Sequence, residues 1–140
     1  QFKANVASAF DFFKTFCPLL SKNGAVIGIT SKASEPGTRS TSSGSYVPAK
    51  YALKGLLKVL SHELKDKPVR VYAIAPGFMP GGLNKDMPKK AIDLIMRKSG
   101  PSEICTPEDV AQTVVKVIND TDGQLSGKSI TVPDNTLSDL

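Results

Sequence analysis

Two short apolar runs constrain this chain more than anything else in it. Ala25-Val-Ile-Gly-Ile-Thr30 and Val69-Arg-Val-Tyr-Ala-Ile-Ala75 are rich in β-branched residues, and each ends at a turn signal. Their length and near-continuous hydrophobicity suit strands buried on both faces, the habit of parallel sheets. Between them, residues 46–65 carry Ala49, Leu53, Leu56, Leu57, Leu60 and Leu64 at spacings of three and four. That spacing predicts one helix with a single apolar stripe. Strand, helix, strand is a right-handed crossover unit, so the chain is expected to be α/β with a parallel sheet.

The remaining segments extend the alternation. Residues 4–21 place Val6, Phe10, Phe13, Phe16, Cys17 and Leu20 at helical spacing, and Lys22-Asn23-Gly24 stops that helix, with Gly24 as the left-handed cap. Residues 31–44 form a loop rich in Ser, Thr, Gly and Pro. Ser45 is placed to cap the next helix, and Pro48 falls in its first turn. Pro76-Gly77 breaks the second strand, and residues 78–104 form a long excursion with a helix over about 88–98. Thr106-Pro107-Glu108-Asp109 is a helix start: a cap, a proline at the first position, then acids in the first turn. That helix runs to about Ile118, Asp122-Gly123 is a turn, and Ser129–Val132 is a third strand. With three strands, the run 25–30 is expected to lack a neighbour on one side and to invite pairing.

Composition removes several classes of function. A chain of 140 residues suits one domain. The net charge of +5 comes from scattered lysines with few aromatics among them, so nucleic-acid binding is not expected. No run approaches the ~18 apolar residues of a membrane span, and no basic segment followed by an apolar stretch opens the chain. Cys17 and Cys105 read as free thiols of a reducing compartment, which points to the cytoplasm. The single histidine, His62, falls on the polar side of its helix, and no metal site is expected. Gln1 in place of Met suggests a processed chain or a piece of a longer one.

Chemistry concentrates at one edge. Tyr46 and Lys50 are four apart and share a helix face. A free phenol, with a pKa near 10, is a poor acid–base group at neutral pH, and a neighbouring ammonium favours its ionised form. Ser31 follows the first strand and Pro76-Gly77 ends the second. Ligands of open α/β sheets bind outside the carboxyl ends of the strands. Topology therefore gathers Ser31, Tyr46, Lys50 and Pro76-Gly77.

Six segments carry a resemblance. They are Asn5-Val-Ala-Ser-Ala-Phe10, Ala25-Val-Ile-Gly-Ile-Thr-Ser31, Tyr46-Val-Pro-Ala-Lys50-Tyr-Ala-Leu, Val69-Arg-Val-Tyr-Ala-Ile-Ala-Pro76-Gly77, Thr106-Pro-Glu-Asp-Val-Ala111 and Leu125-Ser-Gly-Lys-Ser-Ile-Thr-Val132. In that order, and from about Asn5 to about Val132, the chain resembles the C-terminal part of a short-chain dehydrogenase/reductase. The resemblance implies a Rossmann-like doubly wound parallel sheet, present in part, with residues 1–140 forming the C-terminal portion of a single domain. It implies interconversion of a carbonyl and a secondary alcohol with NAD or NADP, and a 3-oxoacyl reductase-like activity falls within its range. Tyr46 would be the general acid and base. Lys50 would hold the cofactor ribose and lower the Tyr46 pKa, and Ser31 would bond the substrate oxygen. Asn5 would hold a proton-relay water, and Pro76, Gly77, Phe78 and Met79 would lie at the nicotinamide. The excursion 78–104 would cover the substrate. The helices 4–21 and 46–65 would form interfaces of a homo-oligomer.

There are departures. The family's glycine-rich cofactor turn is absent, as is the residue that separates NAD from NADP. Gly81 stands near the place of a frequent Thr, and Pro133-Asp134-Asn135 replaces an Asp-Gly pattern. The loop from Ser31 to Tyr46 looks slightly long, so Ser34 and Ser45 are rivals for the role of Ser31. Lys85, Lys89, Lys90, Arg97 and Lys98 either form a solvated helix face or attract a phosphate-bearing acyl carrier. Without the cofactor-binding half, the alternative reading is a non-catalytic Rossmann fragment that serves as an interaction or oligomerisation module.

Overall fold

The computed structural model describes residues 1–38, 44–98 and 104–140. Parts of the predicted loop 31–44 and excursion 78–104 therefore lie outside the described residues. The elements, in chain order, are α1 (Ser8–Phe16), β1 (Gly24–Ile29), α2 (Tyr46–Glu63), β2 (Val69–Pro76), α3 (Lys89–Lys98), α4 (Pro107–Ile118), β3 (Lys128–Val132) and β4 (Leu137–Asp139). The sheet order is β1-β2-β3-β4. β1 and β3 both pair parallel to β2, with Ile29 opposite Ile74 and Val132 opposite Pro76. The sheet is thus the expected doubly wound parallel core, flanked by helices.

Three expectations need correction. The sheet has four strands, not three: β4 pairs antiparallel to β3, with Ile130 opposite Leu137. Its three residues are too few to carry an alternation, and the turn that makes it is held by Asp134, which accepts from Thr131 Oγ1 at 2.6 Å and from Thr136 Oγ1 at 3.0 Å. The left-handed residue after the first helical segment is Asn23, at φ 65°, and Gly24 already belongs to β1. Gly24 is needed for space: a Cβ there would meet Ser21 O at 3.0 Å and Leu20 Cβ at 3.1 Å. The first helical segment is also divided. A π-turn (Lys3–Ala7) leads into α1, and a 3-10 turn containing Pro18 follows it, because proline cannot donate to the α-helical ladder.

The layers follow the two faces of the sheet. Leu53, Leu57, Leu60 and Leu64 of the α2 stripe pack with Val26, Val71, Ala73 and Leu140 on one side. Val117 of α4 packs with Tyr72, Ile74, Ile130, Val132 and Cys105 on the other. The predicted start of α4 is realised as a capping box: Thr106 Oγ1 accepts from Asp109 N at 3.2 Å, and Asp109 Oδ2 accepts from Thr106 N at 2.8 Å. At the amino end of β2, Arg70 donates to the carbonyls of Ile118 (3.1 Å) and Asp120 (2.6 Å) at the end of α4, and to Asn23 O (2.7 Å). A cation there also opposes the negative end of the helix dipole. Beside it, the buried Tyr72 hydroxyl donates to Asp120 at 2.9 Å. β1 forms one edge of the sheet, as expected for a strand short of a neighbour.

Candidate active site

Local features carry Ser31, Tyr46, Lys50 and Pro76-Gly77 to the carboxyl edge of the sheet. α2 begins at Tyr46, so Tyr46, Lys50 and Lys54 lie one above another on its face. Ser45 precedes the helix but does not cap it through its side chain. Its backbone is already α-helical (φ −103°, ψ −25°) rather than extended, the conformation a capping hydroxyl needs. Lys50 Nζ donates to the carbonyl of Ile29, the last residue of β1, at 2.9 Å. The same ammonium stands 5.8 Å from the centre of the Tyr46 ring. Burial pushes the Lys50 amine below its ordinary value.

Ser31 follows Thr30, whose backbone N–H continues the ladder to Ile74 O at 2.8 Å. Ser31 is buried and caps a short turn, Lys32–Ser34, its Oγ accepting from Ala33 N at 3.2 Å. The three serines are now distinguishable. The Ser34 hydroxyl is fully buried and donates to Ser31 O at 2.7 Å, so its proton is committed inside the turn. Ser45 is exposed at the start of α2. Ser31 sits directly at the strand end.

Asn5 is half-buried, and its amide donates to Gln1 O and Gln1 Oε1, both at 3.0 Å. It lines a groove of roughly 840 Å³ between α1 and the edge of β1, together with Phe12, Phe16, Ile27, Ile29 and Lys50. The structure therefore brings Asn5 and Lys50 to one groove, although the Asn5 amide turns to Gln1. Ser31, Tyr46 and Pro76–Met79 are not among its lining residues.

The segment after β2 is fixed by its backbone. Gly77 N donates to Val132 O at 2.9 Å, Cys105 N to Phe78 O at 3.0 Å, and Asn84 Nδ2 to Met79 O at 2.9 Å. Cys105 is 1% exposed, and its thiol, raised by burial, lies 3.6 Å from Gly77 O. It supports the Pro76–Met79 bend from behind.

Sequence reasoning missed Lys54 and Glu35, which form a buried ion pair beside these groups. One signal was present: Lys54 continues the four-residue row of Tyr46 and Lys50 and interrupts an apolar stripe. Among the described residues no cluster of three metal-ligating side chains occurs. His62 is exposed on α2. No helix of the described residues is long and apolar enough to cross a membrane.

Residues 1–134 match the family model described as Enoyl-(Acyl carrier protein) reductase. The chain is 25% identical to the 3-oxoacyl-[acyl-carrier-protein] reductase FabG of Thermotoga maritima over 128 residues, which cover 90% of this chain and 51% of that protein. It is 27% identical to the 7alpha-hydroxysteroid dehydrogenase of Escherichia coli K12 over 142 residues, covering 99% of this chain and 55% of that one. Among solved structures, the RhlG/NADP active-site complex of Pseudomonas aeruginosa superposes with a TM-score of 0.77 at 26% identity, covering 91% of this chain and 53% of that one. The chain thus spans about half the length of the curated relatives it matches.

Proposed function

The chain belongs to the short-chain dehydrogenase/reductase family, and on that premise we propose that residues 1–140 are the C-terminal, catalytic portion of a single Rossmann-like domain that interconverts a carbonyl and a secondary alcohol. The observation that carries this reading is Lys50: a partly buried ammonium anchored at the end of β1 and standing over the Tyr46 ring. Tyr46 delivers a proton to the carbonyl oxygen in reduction and removes it in oxidation. The Lys50 ammonium stands 5.8 Å from the centre of the Tyr46 ring while that proton moves. Ser31 donates to the same oxygen and stabilises the charge that develops there. Asn5 shares the groove of Lys50, and its proposed part is to hold a water on the proton's way to solvent.

The residues fit the nicotinamide end of NAD or NADP. Lys50 has three N–H donors, and the bond to Ile29 uses one, which leaves capacity for ribose hydroxyls. The backbone of Pro76, Gly77, Phe78 and Met79 would lie along the ring. No glycine-rich phosphate turn occurs in these 140 residues, so the dinucleotide's other half needs residues outside them. When bound, the cofactor supplies the hydride. For substrate, the similarity to acyl-carrier-protein reductases and the exposed Lys85, Lys89, Lys90 and Arg97 support an acyl chain on a phosphate-bearing carrier group. The proposed setting is a cytoplasmic homo-oligomer.

In the longest protein that contains this chain, Tyr46→Phe should lower kcat for NAD(P)H-dependent carbonyl reduction by about 10²-fold or more and leave the melting temperature near that of the parent. Near-parental turnover would refute the role of Tyr46. A second reading, an interaction module, is favoured by the exposed Phe10, Phe12 and Phe16 on α1 beside the free β1 edge. It predicts self-association that persists in Tyr46→Phe together with no turnover in either protein, which sedimentation and the same assay separate.

A further inference from the structure

Glu35 and Lys54 have no part in the chemistry proposed above, yet both are buried, at 5% and 8% exposure. Lys54 Nζ lies 2.7 Å from Glu35 Oε2. That oxygen also accepts from Ser138 Oγ at 2.7 Å, and Oε1 accepts from Ser129 Oγ at 2.7 Å. Lys54 donates in addition to Ser138 Oγ at 3.3 Å. Stability alone is a poor reason for such a group. The cost of taking two charges out of water largely offsets their attraction, and apolar residues of similar volume often do as well.

Geometry supplies a better reason. Glu35 closes the single turn that Ser31 opens. Ser34 N and Oγ both donate to Ser31 O, at 2.8 and 2.7 Å, and Glu35 N donates to Lys32 O at 3.0 Å. Ser31 and Glu35 are thus two ends of one rigid unit. Lys54 is one helical turn beyond Lys50 and two beyond Tyr46. Ser129 and Ser138 come from β3 and β4, and Lys32 Nζ donates to Asp134 Oδ2, in the turn between those strands, at 3.2 Å. We infer that Glu35 and Lys54 are positioning residues: their buried pair, braced by Ser129 and Ser138, sets the Ser31 turn against the Tyr46–Lys50 face of α2. The inference rests on the reductase reading of those three residues. It makes β4 part of the support of the site, although Ser138 is 103 residues from Glu35 in sequence.

The test compares Glu35→Gln, Lys54→Met, the double variant and Lys54→Arg in the longest protein that contains this chain. Each of the first two strands a buried polar partner and should melt lower, and the double should recover much of that loss. The double should nevertheless reduce the carbonyl about 10–100-fold more slowly, because a displacement of ~1 Å costs on that order. Its cofactor KM should stay within about 2-fold, and Lys54→Arg should keep kcat near the parental value. Amide exchange at Ala33 and Ser34, measured against Ile74 of β2 as an internal reference, should quicken about 10-fold or more in the double variant. Parental kcat in the double overturns the inference. If the parent shows no turnover, the reductase reading falls, and exchange decides alone: an unchanged ratio of Ser34 to Ile74 overturns the positioning role.

Discussion

Replacing Gly28 with alanine should disturb the packing of α2 on β1, on which the placement of Lys50 depends. A Cβ built at Gly28 would stand 2.3 Å from Leu57 Cδ1, 2.9 Å from Cδ2 and 3.1 Å from Cγ. Carbon atoms in contact rest ~3.5–4.0 Å apart, so Leu57 must retreat by more than ~1 Å. It is fully buried, and its neighbours in the core include Leu53, Leu60 and Ala73. It therefore has no solvent to turn into, so it must take a poorer rotamer in a packed core or carry the helix with it. Overpacking of this kind costs about 1–3 kcal/mol, and removing glycine from the unfolded chain returns about 0.4–1 kcal/mol. A contact as short as 2.3 Å belongs in the upper half of that cost, so the net loss is about 1–2.6 kcal/mol, or roughly 3–9 °C in Tm for a chain of this size. Leu57→Ala alone should cost about 2–5 kcal/mol. The double variant should cost at least ~1 kcal/mol less than the sum, because the new methyl enters the space the leucine vacates. Thermal and denaturant melts of the four proteins read this directly. An unchanged Tm for Gly28→Ala, or strict additivity in the double, would refute the close approach.

Two further outcomes concern the two ends of α4. Tyr72 is held protonated to about 12, first by burial and then by its hydrogen bond to Asp120. Its folded value lies above the ordinary 10, so its contribution is complete below pH 10 and is lost as pH rises from 10 through about 12. Tyr72→Phe should therefore lose stability less steeply than the parent over that interval, as followed by melts at stepped pH; an equal slope would contradict the assignment. Thr106→Ala removes the side-chain half of the α4 capping box and should cost about 1 kcal/mol. Circular dichroism melts check this value, and a loss below ~0.3 kcal/mol would mean that the cap is redundant.

The sequence announced its long elements because each carries a periodicity of its own. The α2 stripe and the apolar runs of β1 and β2 needed no tertiary information. β4 was invisible because Leu137–Asp139 is too short for a periodicity of its own and is defined only by its pairing to β3 across the turn in which Asp134 accepts from Thr131 and Thr136. Asn23 took the left-handed position expected of Gly24 because both residues tolerate it, and the crowding of Gly24 against Leu20 is a tertiary fact. At the candidate site, Tyr46 and Lys50 were legible as a pair on one helix. The choice among Ser31, Ser34 and Ser45 was not, because it depends on which hydroxyl the turn consumes. Glu35 and Lys54 were overlooked for a similar reason: 19 residues separate them, and only the fold makes them partners.

β2 carries different burdens at its two ends. Arg70 and Tyr72, in its first half, fasten α4 and the Asp120 turn to the sheet, whereas Pro76 and Gly77 stand at its carboxyl end. Along the strand, Pro76 lies roughly 13 Å from Tyr72 and roughly 20 Å from Arg70. Substitutions that far apart, sharing no partner, combine additively. Selection can therefore vary what the carboxyl end binds without drawing on the attachment at the amino end. One strand thus supplies both an anchorage and a separate place for change.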